Sequence, residues 1–157
     1  MNLNKYTNTM NNLHNTTLTK ERLNEAKKHL INAFLPLLDL SPNQQTTWTG
    51  TKTDLLEMTH LVYETGEIKD EMGRPATFLW LVRRVCNNLH VSVPCNPNTL
   101  VSKAMQRKNV QQAPLLERYG WQLFNRNNLE PLNCWLNWAA NPKSSLNTSP
   151  QKLDSGI

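Results

Sequence analysis

The sequence has no apolar run long enough to enter a membrane. Its longest strongly apolar stretch, Phe78 to Val82, is five residues, against the roughly 18 to 20 that a spanning helix needs. A transmembrane helix is therefore excluded as the element that organises the chain. Glycine is scarce, at 5 of 157 residues, and none of it forms a phosphate-cradling loop, so the nucleotide motifs built on glycine are missing. Cysteine is sparser still. Cys86, Cys95 and Cys134 are odd in number and irregular in spacing, which suits free thiols in a reducing compartment and not a disulfide framework. Met1 to Tyr6 holds neither an apolar core nor a small-residue cleavage site, so a cytoplasmic protein is expected.

What is present points to one domain. A chain of 157 residues is long enough for a real core and short for two. With 38% hydrophobic residues and a mean hydropathy of −0.59, that core must be modest and wrapped in polar residues. Asparagine is over-used, with 21 copies concentrated in residues 2–15 and 125–147. Its amide competes for nearby backbone groups, so both regions read as caps, turns and loosely ordered ends.

Acidic charge is almost absent from the middle of the chain. The total is 17 Lys+Arg against 12 Asp+Glu, a formal +5, but residues 51–73 sum to −4 and residues 74–128 to +7, with Glu117 the single acid among the latter. Such a division builds a surface for a polyanion, since each neutralised phosphate releases counterions. An ordinary solvated surface is the alternative explanation of the same charges.

Hydrophobic spacing predicts a mostly α, compact helical domain. A helix starts at Thr17 or Thr19 and carries Leu23, Ala26, Leu30, Ala33, Phe34 and Leu37 at helical intervals, with Pro36 interrupting its end. A second spans about 52–65, capped by Thr51 with Asp54 three residues on and closed near Gly66. Glu67 to Lys69 is a short extended piece and Glu71 to Arg74 a turn. Further helices start at Pro75, at Asn96-Pro97 and at Pro114, by the rule that proline is tolerated in a first turn. A short last helix from Pro131 holds Trp135, Leu136 and Trp138. The expected organisation is a flexible Asn-rich arm over 1–16, a helix and linker over 17–47, a helical core over 48–125, a short helix over 126–141 and a disordered tail over 142–157.

The helices at 75–89 and 97–108, preceded by a helix and a short extended piece, follow the order of a helix-turn-helix or winged-helix-like core. In such modules the second helix enters the major groove, with one face on the domain and another toward phosphates and base edges. Residues 97–108 meet that requirement with Thr99, Ser102, Lys103, Gln106, Arg107 and Lys108. Arg83 and Arg84 on the preceding helix are flanking phosphate contacts in this reading, and double-stranded DNA is the partner.

The run Trp48-Thr49-Gly50-Thr51-Lys52-Thr53-Asp54-Leu55-Leu56-Glu57, continuing through Leu61-Val62-Tyr63 to Gly66, resembles the C-terminal region of the RteC family of Bacteroides-type mobile elements. That family's opening reads W-T-G-S-K-T-D-L-x-E-L. Its F-N-V-like segment corresponds to Leu89-His90-Val91, its R-K to Arg107-Lys108, and its following helix to Pro114-Leu115. The likeness spans roughly Trp48 to Leu123, and a further R-T pair of the family is replaced by Gln111-Gln112. The resemblance implies a winged-helix-like fold and DNA binding in the regulation of conjugative-transposon excision and transfer, with no enzymatic activity and no cofactor.

Other readings are weaker. In the opening motif, Trp48 is expected to staple the capped helix, with Gly50 easing the change of direction. Lys52 and Thr53 could instead hold a phosphate at the helix start, which Asp54 and Glu57 oppose. Cys86, His90 and Cys95 lack a fourth ligand and the paired spacing of a zinc site. Glu64, Glu67, Asp70 and Glu71 read as solvated charge. The competing functional class is a protein-interaction module using Trp135, Trp138 and the acidic stretch.

Overall fold

The structure, a computed structural model, describes residues 18–106 and 114–138. Five α-helices dominate them: α1 Lys20–Leu38, α2 Lys52–Tyr63, α3 Phe78–Asn88, α4 Pro97–Gln106 and α5 Leu115–Phe124. A 3-10 helix, Pro131–Trp135, follows. Two strands of two residues each, β1 Thr47–Trp48 and β2 Leu136–Asn137, pair antiparallel with Thr47 opposite Asn137 and Trp48 opposite Leu136. The expected arm over 1–16, the residues 107–113 that include Arg107 and Lys108, and the expected tail over 142–157 lie outside the described residues.

Helix starts follow a common rule. Thr19, Thr51 and Thr77 each hold an extended backbone and accept, on the side chain, the amide of the residue three positions on. These bonds satisfy donors that have no partner within the helix. For α3 this overturns the expected start at Pro75. Pro75 instead forms an antiparallel bridge with Lys69, and the Ala76 amide donates to Ile68 O at 2.8 Å. Asp70 closes the turn, its Oδ1 accepting from the Met72 amide at 2.9 Å and the Arg74 amide at 3.0 Å. Proline was therefore consumed by a tight hairpin, and the threonine two residues later capped the helix.

Pro36 lies inside α1 without ending it. The carbonyls at the end of this helix are taken by α3: Asn88 Nδ2 donates to Leu37 O at 3.0 Å and Leu38 O at 3.1 Å, and Arg84 Nε donates to Leu38 O at 2.6 Å. A guanidinium at a helix C-terminus also complements the negative end of the helix dipole.

A single core unites all of these elements. Ala26, Leu30, Phe34 and Leu37 of α1, Leu55, Leu56, Met58 and Val62 of α2, Leu81, Val82 and Val85 of α3, Val101 of α4 and Leu115 and Tyr119 of α5 are buried together with Leu132 and Leu136. The N-terminal helix and the C-terminal segment thus share the core of the residues between Trp48 and Leu123. Helix α2 is central, with α1, α3, α4 and α5 all packed on it. Where α5 crosses α1, a Cβ on Gly120 would lie 2.6 Å from Leu18 Cδ1 and 3.2 Å from Ala26 Cβ, so the approach needs glycine.

The chain after Pro131 departs from expectation. Leu136 is not helical but enters the strand pair, because the extended Thr47–Trp48 edge offers backbone partners that a lone helical turn would leave unpaired. Trp135 lies parallel to Tyr119, at a centroid distance of 6.3 Å and 13° between planes, and faces Gly50. A Cβ at Gly50 would stand 2.5 Å from Trp135 Cδ1 and 3.0 Å from Trp48 Nε1. Gly50→Ala is therefore expected to cost about 1–3 kcal/mol, the usual penalty of overpacking, measured as a lowered urea midpoint. An unchanged midpoint would mean that the two indoles yield freely.

Candidate nucleic-acid interface

The run from Trp48 to Glu57 is a structural joint. Trp48 is buried, and its indole Nε1 donates to Thr51 O at 2.8 Å. Its amide donates to Leu89 O at 3.3 Å and the Thr49 amide to Trp135 O at 2.8 Å, so the segment ties the start of α2 to the end of α3 and to the 3-10 helix. Asp54, 5% exposed, takes both arms of the Arg118 guanidinium, at 2.6 Å from Oδ1 and 3.2 Å from Oδ2. Glu57 Oε2 accepts the Leu115 amide at 3.3 Å, a carboxylate at the start of α5 where the dipole favours one. The acids of the motif therefore serve the α2–α5 contact.

Two basic residues proposed from sequence are separated by their surroundings. Arg84, already bonded to Leu38 O, lies over the Trp80 ring at 5.4 Å and 4.0 Å from Glu71 Oε1. Trp80 Nε1 completes the group by donating to Glu71 Oε2 at 3.0 Å. Arg83 is exposed beside it and borders an open cleft of about 470 Å³ with Leu40, Pro42, Leu79 and Asn87. Both arginines belong to the α1–α3 side of the molecule. Helix α4 packs instead on α2.

On α4 the sequence pattern translates directly into a face. Pro97 and Val101 are buried, Leu100 and Ala104 half-buried, and Thr99, Ser102, Lys103 and Gln106 exposed. These four polar residues recur at intervals of three, four and seven, so they share one side of the helix, opposite Val101; Asn98 and Met105 are exposed as well. None of these side chains has a hydrogen bond or ion pair with another described residue.

The segment that delivers α4 is set by His90. Its φ of 59° is left-handed, and the Val91 amide folds back to Cys86 O at 2.9 Å, closing α3 by a Schellman-type bond. The His90 ring turns to Gln44 O at 2.7 Å, Cys86 is buried and Cys95 exposed. Burial raises the Cys86 thiol to about 11, with the Lys52 ammonium pulling the other way. Among the described residues no three His, Cys, Asp or Glu side chains gather in a metal-holding group, and no helix is long and apolar enough to cross a membrane.

Sequence counting missed how many bases are already occupied. Arg118 is paired with Asp54, Arg74 lies 3.4 Å from Asp70 Oδ2, and Arg126 lies 4.9 Å from the centre of the Trp121 ring. Among the described bases of the +7 stretch, Arg83 and Lys103 remain without such an engagement. The two tryptophans of the competing reading also divide. Trp135 is half-buried in the core, while Trp138 is 46% exposed with its Nε1 donating to Asn133 Oδ1. Comparison of the chain with family models, curated proteins and solved structures finds no match.

Two outcomes follow for the α2–α5 joint. Asp54→Ala removes the carboxylate that both arms of Arg118 grip and is expected to cost roughly 3 kcal/mol, read from chemical denaturation. Burial raises the Glu57 carboxyl above its ordinary value, opposed by the Leu115 amide, reinforced by Asp54 and opposed again by Arg118. An acid with a raised folded-state pKa contributes stability that is present below its unfolded value and lost as pH rises through the folded one. Glu57→Gln keeps an oxygen for the Leu115 amide and removes that decline. Its urea midpoint should gain on that of the unmodified protein as pH climbs from about 4 to about 7; parallel curves would exclude the linkage.

Proposed function

We propose that this chain is a DNA-binding transcriptional regulator of a mobile element, with α4 as the helix that enters the major groove. The observation that carries the reading is the exposed row of Thr99, Ser102, Lys103 and Gln106, opposite the buried Val101 and without partners among the described residues. A lysine and a glutamine separated by three residues can address neighbouring base edges, and hydroxyls on the same face can reach phosphate or base. Arg107 and Lys108 follow in sequence and add two positive charges. Arg83 is retained as a flanking phosphate contact, whereas the Arg84 guanidinium is held by Leu38 O and Trp80.

The packing of α3 and α4 on a common α2 supports reading the three as a helix-turn-helix unit, with the Lys69–Pro75 hairpin as the short extended piece before its second helix. The link to conjugative-transposon regulation rests on the RteC resemblance of the Trp48–Glu57 run. Protein docking through Trp135 and Trp138 has less support, since Trp135 serves the core. The mechanism is placement on a promoter or at a transposon end, without chemistry.

A gel-shift series with flanking genomic DNA at about 100 mM salt tests this reading, because phosphate-borne affinity falls steeply with salt. Lys103→Ala and Gln106→Ala are each expected to weaken binding by about tenfold, in line with roughly 1–3 kcal/mol for a base contact. Absence of binding, or affinity unchanged in both variants, would overturn it.

A further inference from the structure

We propose that Lys52 and Ser92 form a phosphate-gripping pair, which extends the interface from α4 onto the start of α2. The inference rests on the DNA-binding reading and adds to it a backbone contact on another element. Lys52 Nζ donates to Ser92 Oγ across forty residues of sequence, and both side chains are exposed. An ammonium carries three N–H donors, so two remain after this bond. A hydroxyl that accepts from it still has its own proton to give. The pair thus presents an exposed ammonium and hydroxyl side by side, each with a donor left to give, which is what a phosphodiester with two free oxygens accepts.

The acids that opposed a phosphate here in sequence are turned away in the fold. Asp54 is buried against Arg118, and Glu57 is drawn to the Leu115 amide. Neither they nor any other described carboxylate lies within ion-pair distance of Lys52. Position fits as well. Ser92 lies on the segment that runs from His90 directly into α4, a helix of 10 residues and so about 15 Å long. Lys52 is therefore tied to the segment that leads into the start of α4. A duplex with α4 in its groove has backbone on both sides of that helix. The positive end of the α2 dipole adds to the attraction.

Phosphate contacts are independent of sequence, so a random duplex of about 30 base pairs serves as the probe, with anisotropy titrations from about 50 to 300 mM salt. Lys52→Ala is expected to weaken binding about fivefold and to lower the magnitude of the log–log salt slope by about 1. Ser92→Ala should weaken binding about twofold to threefold with the slope unchanged, since no charge is lost. Lys28→Ala, which removes an exposed charge on α1, controls for net charge and should change neither. Thermal melts check folding, and Lys52→Gln, which keeps a donor for Ser92, replaces Lys52→Ala if the latter unfolds. Equal effects of Lys52→Ala and Lys28→Ala, or a loss at Lys52 without a slope change, overturn the pair. Weakening by Lys103→Ala alone leaves the DNA reading standing and removes this one; no salt-dependent binding by the unmodified protein removes both.

Discussion

The bidentate contact between Asp54 and Arg118 decides where α5 lies on α2, and much else follows from it. Two charges largely out of water attract strongly, but removing them from water is expensive, so the arrangement survives only with good geometry. Both guanidinium arms find an oxygen, at 2.6 and 3.2 Å, and that directionality fixes angle as well as distance. Once α5 is fixed, Tyr119 reaches His29 Nδ1 at 2.7 Å and Trp135 stacks on its ring. Gly120 meanwhile admits Leu18 and Ala26. One side of α2 is thereby occupied, its acids are neutralised, and α4 packs on the same helix with its polar face left to solvent.

This division of α2 changes the meaning of the charge pattern. A sum of −4 on residues 51–73 beside +7 on residues 74–128 suggests an acidic wall next to a basic one. In the fold the two segments interlock: Asp54 binds Arg118, Asp70 meets Arg74, and Glu71 faces Arg84. Much of the apparent asymmetry is internal pairing, and what remains outside is small and local. Lys52 and Lys103 matter because nothing acidic among the described residues answers them.

Much of the fold was readable from sequence where local chemistry governs. Thr51 with Asp54, the left-handed Gly66 at φ 65° and the apolar stripes of α1 and α3 all signal within one or two turns of helix. Sequence reading failed where a distant partner decides. Pro75 looks like a helix start until Asp70 is known to fold the hairpin back, and Leu136 looks helical until Trp48 is known to lie opposite. The polar positions of α4 were likewise visible from spacing, whereas Met105, which the same spacing places with Leu100, Val101 and Ala104, is exposed. That Arg84 caps α1 was not, because an arginine four residues from an asparagine on one helix carries no mark of which carbonyls it will meet. The pairing of Lys52 with Ser92 joins segments that only the tertiary fold brings together.

The smallest element reaches far along the chain. Pairing Trp48 with Leu136 closes residues 48–136 into one loop, with α1 outside it, and long loops form slowly because their closure entropy must be met before the contacts can repay it. The two-residue sheet and the Trp135 wedge against Gly50 can lock only after both distant segments have arrived. A ribosome still holding the C-terminal segment would therefore carry a chain whose Trp48 has no strand partner. The Trp48 segment then depends, for its final closure, on residues synthesised after it.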